Sequence, residues 1–418
     1  MILKNKISAI AIALCGTLAL SAATADDTPP LESAPVFDAR KILPPDLLMG
    51  SEHRVAEKVV NDGAYNIYQV HTRFGSYQAN STEQLKIRVR ETYAIAAMRE
   101  LQTTDEFLNA VGEAGVGVVK NIGTAITDPI GTTESALSGV GKMFQRLDAV
   151  LSSDEPQGAN VDTAAQSITG VSQRKREYAA HYGVDVYSSN PQLQENLDRL
   201  ASASAIGGLG ANVTVGLLTG PVITVTQTAD VAGDMTVNTT PIDLRILNRD
   251  RLASMNIPAS VVSLFFGNEV LSPTHQTLIV KALHRIKGAT GRDNLLARSI
   301  DATTEDLALY RQVQAELYAA YHERQEPIVA FDAFGNLVAA RTRSGGHVIM
   351  WPVDYLSWTG TVSRLVTAAG KGIDQAGTLS KKKQVWLSGG ATKLARAELE
   401  KRGWDVRVDA NLGLGIRN

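Results

Sequence analysis

The amino-acid sequence predicts an α+β protein in which strand-rich and helix-rich regions follow one another along the chain. Residues 51–80 carry alternating apolar and polar residues with turn signals, whereas residues 160–326 carry mainly helical periodicity with cap residues. Over residues 327–418, short strand and helix patterns alternate, as in a small α/β module. With 44% apolar and 20% charged residues, the 418-residue chain has enough hydrophobic material for two or three folded domains.

The N-terminus has the pattern of a secretory signal. Lys4 and Lys6 form a short basic region, an uncharged apolar run extends from Ile7 to Leu20, and Ala23-Thr24-Ala25 fits an A-x-A cleavage site. A retained membrane anchor is the alternative, but the apolar run is shorter than the about 20 residues that a spanning helix needs. We therefore expect residues 1–25 to be a cleaved signal peptide and residues 26–50 to be a flexible mature N-terminus.

The single cysteine, Cys15, lies inside this signal. A lipidated N-terminus is an alternative, but Leu14 is not the small residue that a lipobox requires before its cysteine. Without Cys15 the mature protein would have no disulfide, thiol nucleophile or cysteine-ligated metal, which suits an oxidising periplasm. The predicted location is therefore periplasmic or outer-membrane associated.

Charge argues against nucleic acid as a partner. The whole chain has a formal net charge of −2, and no basic stripe with interleaved aromatic residues occurs in it.

Residues 51–150 are predicted to form a β-meander followed by glycine-rich helices. The meander strands are Arg54–Val60, Tyr65–Thr72 and Phe74–Asn80, with Asn61-Asp62-Gly63 as a tight turn. Ser81 then caps an amphipathic helix that runs to about Leu101.

The glycines that follow recur every eight residues, at Gly115, Gly123, Gly131 and Gly139. Asp128-Pro129 divides this region into two predicted helices, over about 105–126 and 129–150. Small residues at such spacing let helices approach closely, and apolar faces of this kind also bind bilayer surfaces. Interrupting charges favour helices packed on the main body, with membrane association as the alternative.

A stretch without any charge, residues 200–229, lies within the mainly helical region 160–326. Asn212–Leu218 and Val222–Thr228 flank the turn Thr219-Gly220-Pro221, which predicts a glycine-rich apolar β-hairpin. A packed helical hairpin and a bilayer-inserted element are the alternatives. From Pro241 to Pro327 five helices are predicted, separated by caps such as Ser272-Pro273.

The region 327–418 is predicted to begin with three short strands. Helix, strand, helix and strand patterns follow over about 357–370, 384–387, 392–402 and 404–408. Strands joined through helices pair in parallel, so a small α/β module is expected.

Familiar catalytic signatures fail on spacing. Gly208-Leu-Gly210 lacks the third glycine of a dinucleotide loop, His322-Glu323 lacks the second histidine of a zinc protease helix, and no Gly-x-Ser-x-Gly elbow occurs. The seven histidines are scattered. No metal site or cofactor is therefore predicted, and whether the chain is an enzyme stays open.

Two segments of the α/β module are candidates for a ligand or partner surface. Ser388–Thr392 lies between a strand and a helix, where free N–H groups hold anions, although an ordinary tight turn explains the pattern equally well. The segment 351–358 gathers aromatic, acidic and hydroxyl side chains, for which core packing and helix capping are the alternative. The candidate residues are Trp351, Asp354, Tyr355, Ser357, Trp358, Ser388 and Thr392.

Several stretches together resemble a group of exported proteobacterial proteins of unknown function. These stretches are Phe37–Asp46, Val59–Gly63, Ser189–Gln192, Leu271–Gln276, Pro352–Trp358 and Glu398–Trp404. The resemblance covers nearly the whole predicted mature chain. It implies secretion and bacterial origin, and it transfers no activity or catalytic residue.

The leading functional hypothesis is a non-enzymatic, membrane-peripheral envelope protein that acts in assembly, transport or binding through its glycine-rich segments at 105–150 and 200–229. A membrane surface or an envelope protein would be its partner. The alternative is a periplasmic hydrolase, or a soluble ligand-binding protein, with its site around Asp354 and Ser388 in the α/β module.

Overall fold

A computed structural model describes residues 31–113, 170–206, 238–334, 337–375 and 382–414. It confirms the α+β class, with an N-terminal strand-rich region, central helices and a C-terminal sheet. The described residues from Glu32 onward belong to one compact unit.

The N-terminal sheet is antiparallel and contains the predicted meander, except that the strand predicted over Arg54–Val60 is divided into two short strands, His53–Val55 and Lys58–Asn61. Its strands are β1 (Val36–Asp38), β2 (His53–Val55), β3 (Lys58–Asn61), β4 (Asn66–Thr72) and β5 (Gly75–Ala79). The strand order is β1-β3-β4-β2, and β5 pairs with β4. Gly63, in the turn between β3 and β4, has a φ of +113°, which glycine adopts without strain.

Part of the N-terminus that was expected to be flexible, over 26–50, is instead structured. Besides β1, it forms the short helices α1 (Ala39–Ile42) and α2 (Pro45–Leu48). Asp38 caps α1 by accepting a hydrogen bond from Arg40 N at 3.0 Å. Leu43 and Leu47 are buried, so apolar side chains attach this segment to the core although its composition is typical of disorder.

Four helices surround the next part of the core. They are α3 (Thr82–Leu101), α4 (Asp105–Glu113), α5 (Val171–His181) and α6 (Pro191–Ile206). Ser81 caps α3 as predicted, because its Oγ accepts a hydrogen bond from Gln84 N at 3.1 Å. Leu193, Leu197 and Leu200, along one face of α6, are fully buried.

The start of the first predicted glycine-rich helix, over about 105–126, is present as α4. The rest of that helix, the second one and the positions Gly115, Gly123, Gly131 and Gly139 lie outside the described residues, as does the hairpin predicted over 212–228.

All five helices predicted between Pro241 and Pro327 are present. They are α7 (Pro241–Ser254), α8 (Ala259–Phe266), α9 (Pro273–Arg285), α10 (Arg292–Ile300) and α11 (Glu305–Arg324). Thr240, Ser272 and Thr304 cap α7, α9 and α11 through their side-chain oxygens. In the described part of the chain, no helix has the length and apolar character needed to cross a membrane.

The C-terminal sheet has five strands in the order β12-β10-β8-β7-β6. In chain order its elements are β6 (Ile328–Phe334), β7 (Leu337–Thr342), β8 (His347–Trp351), β9 (Tyr355–Leu356), α12 (Gly360–Gln375), β10 (Lys383–Leu387), β11 (Gly390–Ala391), α13 (Lys393–Lys401), β12 (Trp404–Arg407) and α14 (Ala410–Gly413). As predicted, β8, β10 and β12 are parallel, whereas β6, β7 and β8 form an antiparallel meander. The short strands β9 and β11 pair separately.

Both faces of this sheet are covered, so its strands are apolar on both sides. Val348 and Met350 belong to a core that includes residues of α9, α10 and α11. Ile349 and Val385 pack on the other face, in a core that includes residues of α12 and α13. The resulting three layers hold the carboxyl ends of β8, β10 and β12 side by side.

Candidate functional site

A cleft of about 610 Å³ lies at the carboxyl ends of the three parallel strands. Its lining includes Pro352–Asp354 after β8, Ser388 and Gly389 after β10, and Asp409 after β12. We call it the strand-end cleft. Ligands of open α/β sheets bind in such positions, outside the carboxyl ends of the strands.

The other walls of the strand-end cleft come from distant parts of the sequence. The turn between β3 and β4, the first turn of α3, the first turns of α11 and one face of α12 all line it. The N-terminal sheet and the C-terminal sheet therefore contribute to one cavity.

Hydrogen bonds attach the turn between β3 and β4 to the chain after β8. Ala64 O accepts from Asp354 N at 2.9 Å and from Tyr355 N at 3.1 Å. Gly63 O accepts from Ser357 N at 2.8 Å. The Tyr65 hydroxyl donates to Pro352 O at 2.7 Å. These bonds fix the position of one wall relative to the strand ends.

The carboxylate of Asp354 joins three elements at the base of this wall. One oxygen accepts from Asn66 N, at the start of β4, at 2.9 Å, and both oxygens lie within 3.1 Å of Thr82 N, the first residue of α3. Burial raises the pKa of Asp354 to about 6, and the N–H bonds from Asn66 and Thr82 oppose that rise. A carboxylate at a helix N-terminus also interacts favourably with the helix dipole.

The loop after β10 packs directly on the loop after β8. Ser388 Oγ donates to Val353 O and accepts from Val353 N, both at 2.7 Å. A Cβ atom added to Gly389 would lie 2.1 Å from Asp354 O, so only glycine fits there. Both hydrogen-bonding functions of the Ser388 hydroxyl are used to hold the two strand ends together.

Among the sequence candidates, Trp351, Asp354 and Ser388 line the strand-end cleft, and the other four do not. The Tyr355 ring makes an edge contact with Phe37, with the centroids 5.1 Å apart. Ser357 and Trp358 are completely buried.

Thr392 caps α13 by accepting a hydrogen bond from Ala395 N at 2.9 Å, and it donates to the Glu32 carboxylate. Backbone N–H groups at both ends of the segment considered for anion binding are also occupied. Ser388 N donates to Trp351 O at 3.2 Å, and Thr392 N donates to Leu356 O at 2.9 Å. The segment is therefore a hydrogen-bonded β-to-α connection.

A second cavity of about 250 Å³ adjoins the cleft, and we call it the inner pocket. Tyr310, Trp351 and Leu365 line both cavities. Most of its remaining lining is apolar and comes from the C-terminal sheet and from α12 and α13, with the Arg298 and Arg311 side chains also present.

Sequence reasoning missed Asp306 and Tyr310 on α11 and Leu365 on α12. Asp306 lies in the first turn of a helix, shortly after a cap residue, where acidic residues are common. Nothing in the sequence places α11 against β8. Only the packing of α11 across the sheet brings these side chains to the cleft. In the described ranges, no group of three or more His, Cys, Asp or Glu residues is arranged to hold a metal ion.

Comparison with known proteins identifies no relative. No family model matches the sequence, and neither the curated proteins nor the solved structures contain a match. The resemblance to exported proteobacterial proteins stays a prediction, and the functional argument depends on the geometry of the strand-end cleft.

Proposed function

We propose that this protein is a small-molecule binding protein and that the strand-end cleft is its ligand site. The observation that supports this proposal best is the convergence of three parallel strand ends on one cavity. Its volume of about 610 Å³ lies within the range of about 300–1,000 Å³ that is usual for ligand pockets. The walls combine apolar and aromatic side chains with polar and charged groups, which can position a ligand.

The geometry favours binding over hydrolysis. A serine nucleophile needs a hydroxyl that a neighbouring base can deprotonate, but the Ser388 hydroxyl donates to Val353 O. The Asp354 carboxylate is likewise engaged by Asn66 N and Thr82 N. Both polar groups that the sequence offered for catalysis thus hold the walls of the cleft in place.

Export and a location in the periplasm or at the outer membrane remain part of this proposal, on the evidence of the N-terminal sequence. The membrane-peripheral role proposed for 105–150 and 200–229 is a separate hypothesis. A ligand-binding protein in the envelope is compatible with it, since transport and binding are the roles that the sequence suggested.

A thermal-shift screen of small molecules against the full chain tests the proposal. Leu365 lines both cavities and is 56% exposed, so Leu365→Trp would obstruct the point where the two cavities meet, with little effect on the core. Leu264→Trp, at a 51% exposed position of α8 outside the cleft, is the matched control. We expect ligands that stabilise the wild type to lose their effect in Leu365→Trp and keep it in Leu264→Trp. Ligands that stabilise all three proteins equally would place binding elsewhere and refute the proposal.

A further inference from the structure

The charges around the strand-end cleft are strongly unequal. Among the described residues, five carboxylates line it, and the only lysine or arginine is Lys86. The acids are Asp62, Glu83, Asp306, Asp354 and Asp409. Lys86 is already paired with Glu83 at 3.0 Å. A concave site lined by one sign of charge concentrates ligands of the opposite sign.

Asp306 adds a carboxylate whose charge no cation offsets among the described residues. Its Oδ2 accepts a hydrogen bond from the neutral Asn80 Nδ2 at 2.8 Å, and its Oδ1 is buried without a described partner. The negative charge of Asp306 therefore contributes to the field inside the cleft, where it attracts a cation. The aromatic rings of Trp351 and Tyr310 line the same cavity, and such rings attract ammonium groups.

The inner pocket has the opposite character. Its wall is formed largely by apolar side chains such as Phe334, Ile349, Val366 and Leu399. Arg311 lies over the Tyr310 ring at 5.1 Å, and Arg298, which is paired with Asp301 at 3.2 Å, also reaches this pocket. An apolar group gains by entering the inner pocket, whereas a cation is repelled by the two guanidinium groups.

We propose that the ligand is an amphipathic amine, with its apolar body in the inner pocket and its protonated nitrogen among the carboxylates of the strand-end cleft. This inference depends on the proposed function and specifies the ligand class of the same site. The guanidinium groups and the carboxylates together determine the orientation. The nitrogen lies in the field of Asp306 and the other carboxylates, and Trp351 and Tyr310 flank the point where the two cavities meet.

Isothermal titration of the full chain at pH 7 with three ten-carbon probes, below their micellar concentrations, tests the inference. The probes are decylamine, 1-decanol and decanoate. We expect decylamine to bind about tenfold or more tightly than decanoate, with 1-decanol between them. Leu365→Trp should abolish binding of all three.

Two substitutions test the role of the carboxylates. Asp306→Asn should weaken the binding of decylamine about tenfold and change the affinity for 1-decanol by less than about twofold. Asp409→Asn should act in the same direction and preserve the fold, because Asp409 has a φ of +51°, which asparagine tolerates. Asp374→Asn, at a 64% exposed side chain outside both cavities, is the control and should leave the affinity for both probes unchanged.

The outcomes separate the two proposals. Tighter binding of decanoate that still depends on Leu365 would refute the amine class and leave the cleft as a ligand site. Probe binding that Leu365→Trp does not change would refute the cleft itself. If none of the three probes binds, the amphipathic amine is refuted, and the small-molecule screen decides the proposed function independently.

Discussion

The carboxylate of Asp354 lies where three separate parts of the chain meet. It accepts hydrogen bonds from Asn66 N and Thr82 N, while its carbonyl oxygen accepts one from Gly390 N at 3.1 Å. Gly389 lies against the same carbonyl, with no room for a side chain. At the scale of single residues, the shape of the cleft therefore depends on the carboxylate of Asp354 and on the absence of a side chain at Gly389.

Gly389→Ala tests this dependence. The added Cβ would lie 2.1 Å from Asp354 O and 2.8 Å from Val353 O, both backbone atoms that cannot rotate away. We expect a loss of about 3 kcal/mol in the free energy of unfolding, measured by urea denaturation. Gly370→Ala, in the interior of α12 with nothing within 4 Å of the new Cβ, should instead gain about 0.5–1 kcal/mol. Equal effects of the two substitutions would contradict the close approach at Gly389.

At the scale of elements, α3 and α11 are joined by a buried charge network. Arg88 on α3 donates to Glu91 at 2.9 Å and to Glu305, the first residue of α11, at 2.7 Å. It also donates to Ser189 in the loop before α6 at 3.0 Å. The Glu91 side chain is only 2% exposed, so its charge depends on Arg88 for compensation. The network fixes the two helices whose first turns line the strand-end cleft.

Arg88→Met should therefore destabilise the protein by about 3–5 kcal/mol, because it leaves Glu91 buried and uncompensated. Adding Glu91→Gln to this variant should restore part of the loss, since the amide carries no charge. Arg174→Met removes an arginine from an ion pair whose two side chains are 36% and 34% exposed, and it should cost less than about 1 kcal/mol. Chemical denaturation of the four proteins measures these differences. A double variant as unstable as Arg88→Met would show that the charge of Glu91 is not the cause.

The sequence was sufficient to predict most elements, because their signals are local. A cap or turn residue lies directly beside the element that it begins or ends, so the sequence pattern also gives the position of the element. Examples are the caps Ser81, Ser272 and Thr304 and the turn at Gly63. The strand β1 was missed because its three residues pair with β3, which follows some twenty positions later. Short elements stabilised by distant partners leave little trace in local periodicity.

The cleft itself was only partly predictable, for a related reason. Ser388 was identified because it lies between a strand and a helix, and Asp354 because residues 351–358 gather aromatic, acidic and hydroxyl side chains. Asp306 and Leu365 were not, because their place in the cleft depends on how α11 and α12 pack. The pairing of β8 with β10 brings Ser388 next to Val353, so a residue considered for chemistry makes a structural contact instead.

At the scale of the whole molecule, several buried groups bind protons differently in the folded and unfolded states. Burial raises the pKa of Glu316 to about 8 and that of Asp185 and Asp354 to about 6. It lowers the pKa of His275 to about 4. Below about pH 6.5, His275 binds a proton in the unfolded chain before it does so in the folded one, so this group lowers the free energy of unfolding as the pH falls. The two aspartates bind protons in the folded chain first, so their contribution has the opposite sign. Among these four groups, only Glu316 has its pKa above pH 7.

The free energy of unfolding should consequently rise by about 1 kcal/mol as the pH falls from 9 to 7. Folded Glu316 holds its proton up to about pH 8, whereas an unperturbed glutamic acid releases it near 4.5, so unfolding releases a proton and higher pH favours the unfolded state. The nearby Glu83 adds to the rise in the pKa of Glu316, while Arg285 and Lys281 oppose it. In Glu316→Gln, which keeps an acceptor for Gln312 Nε2, urea denaturation at pH 7, 8 and 9 should give a nearly constant value. A wild-type protein whose stability does not change over this range would show that Glu316 is ionised in the folded state.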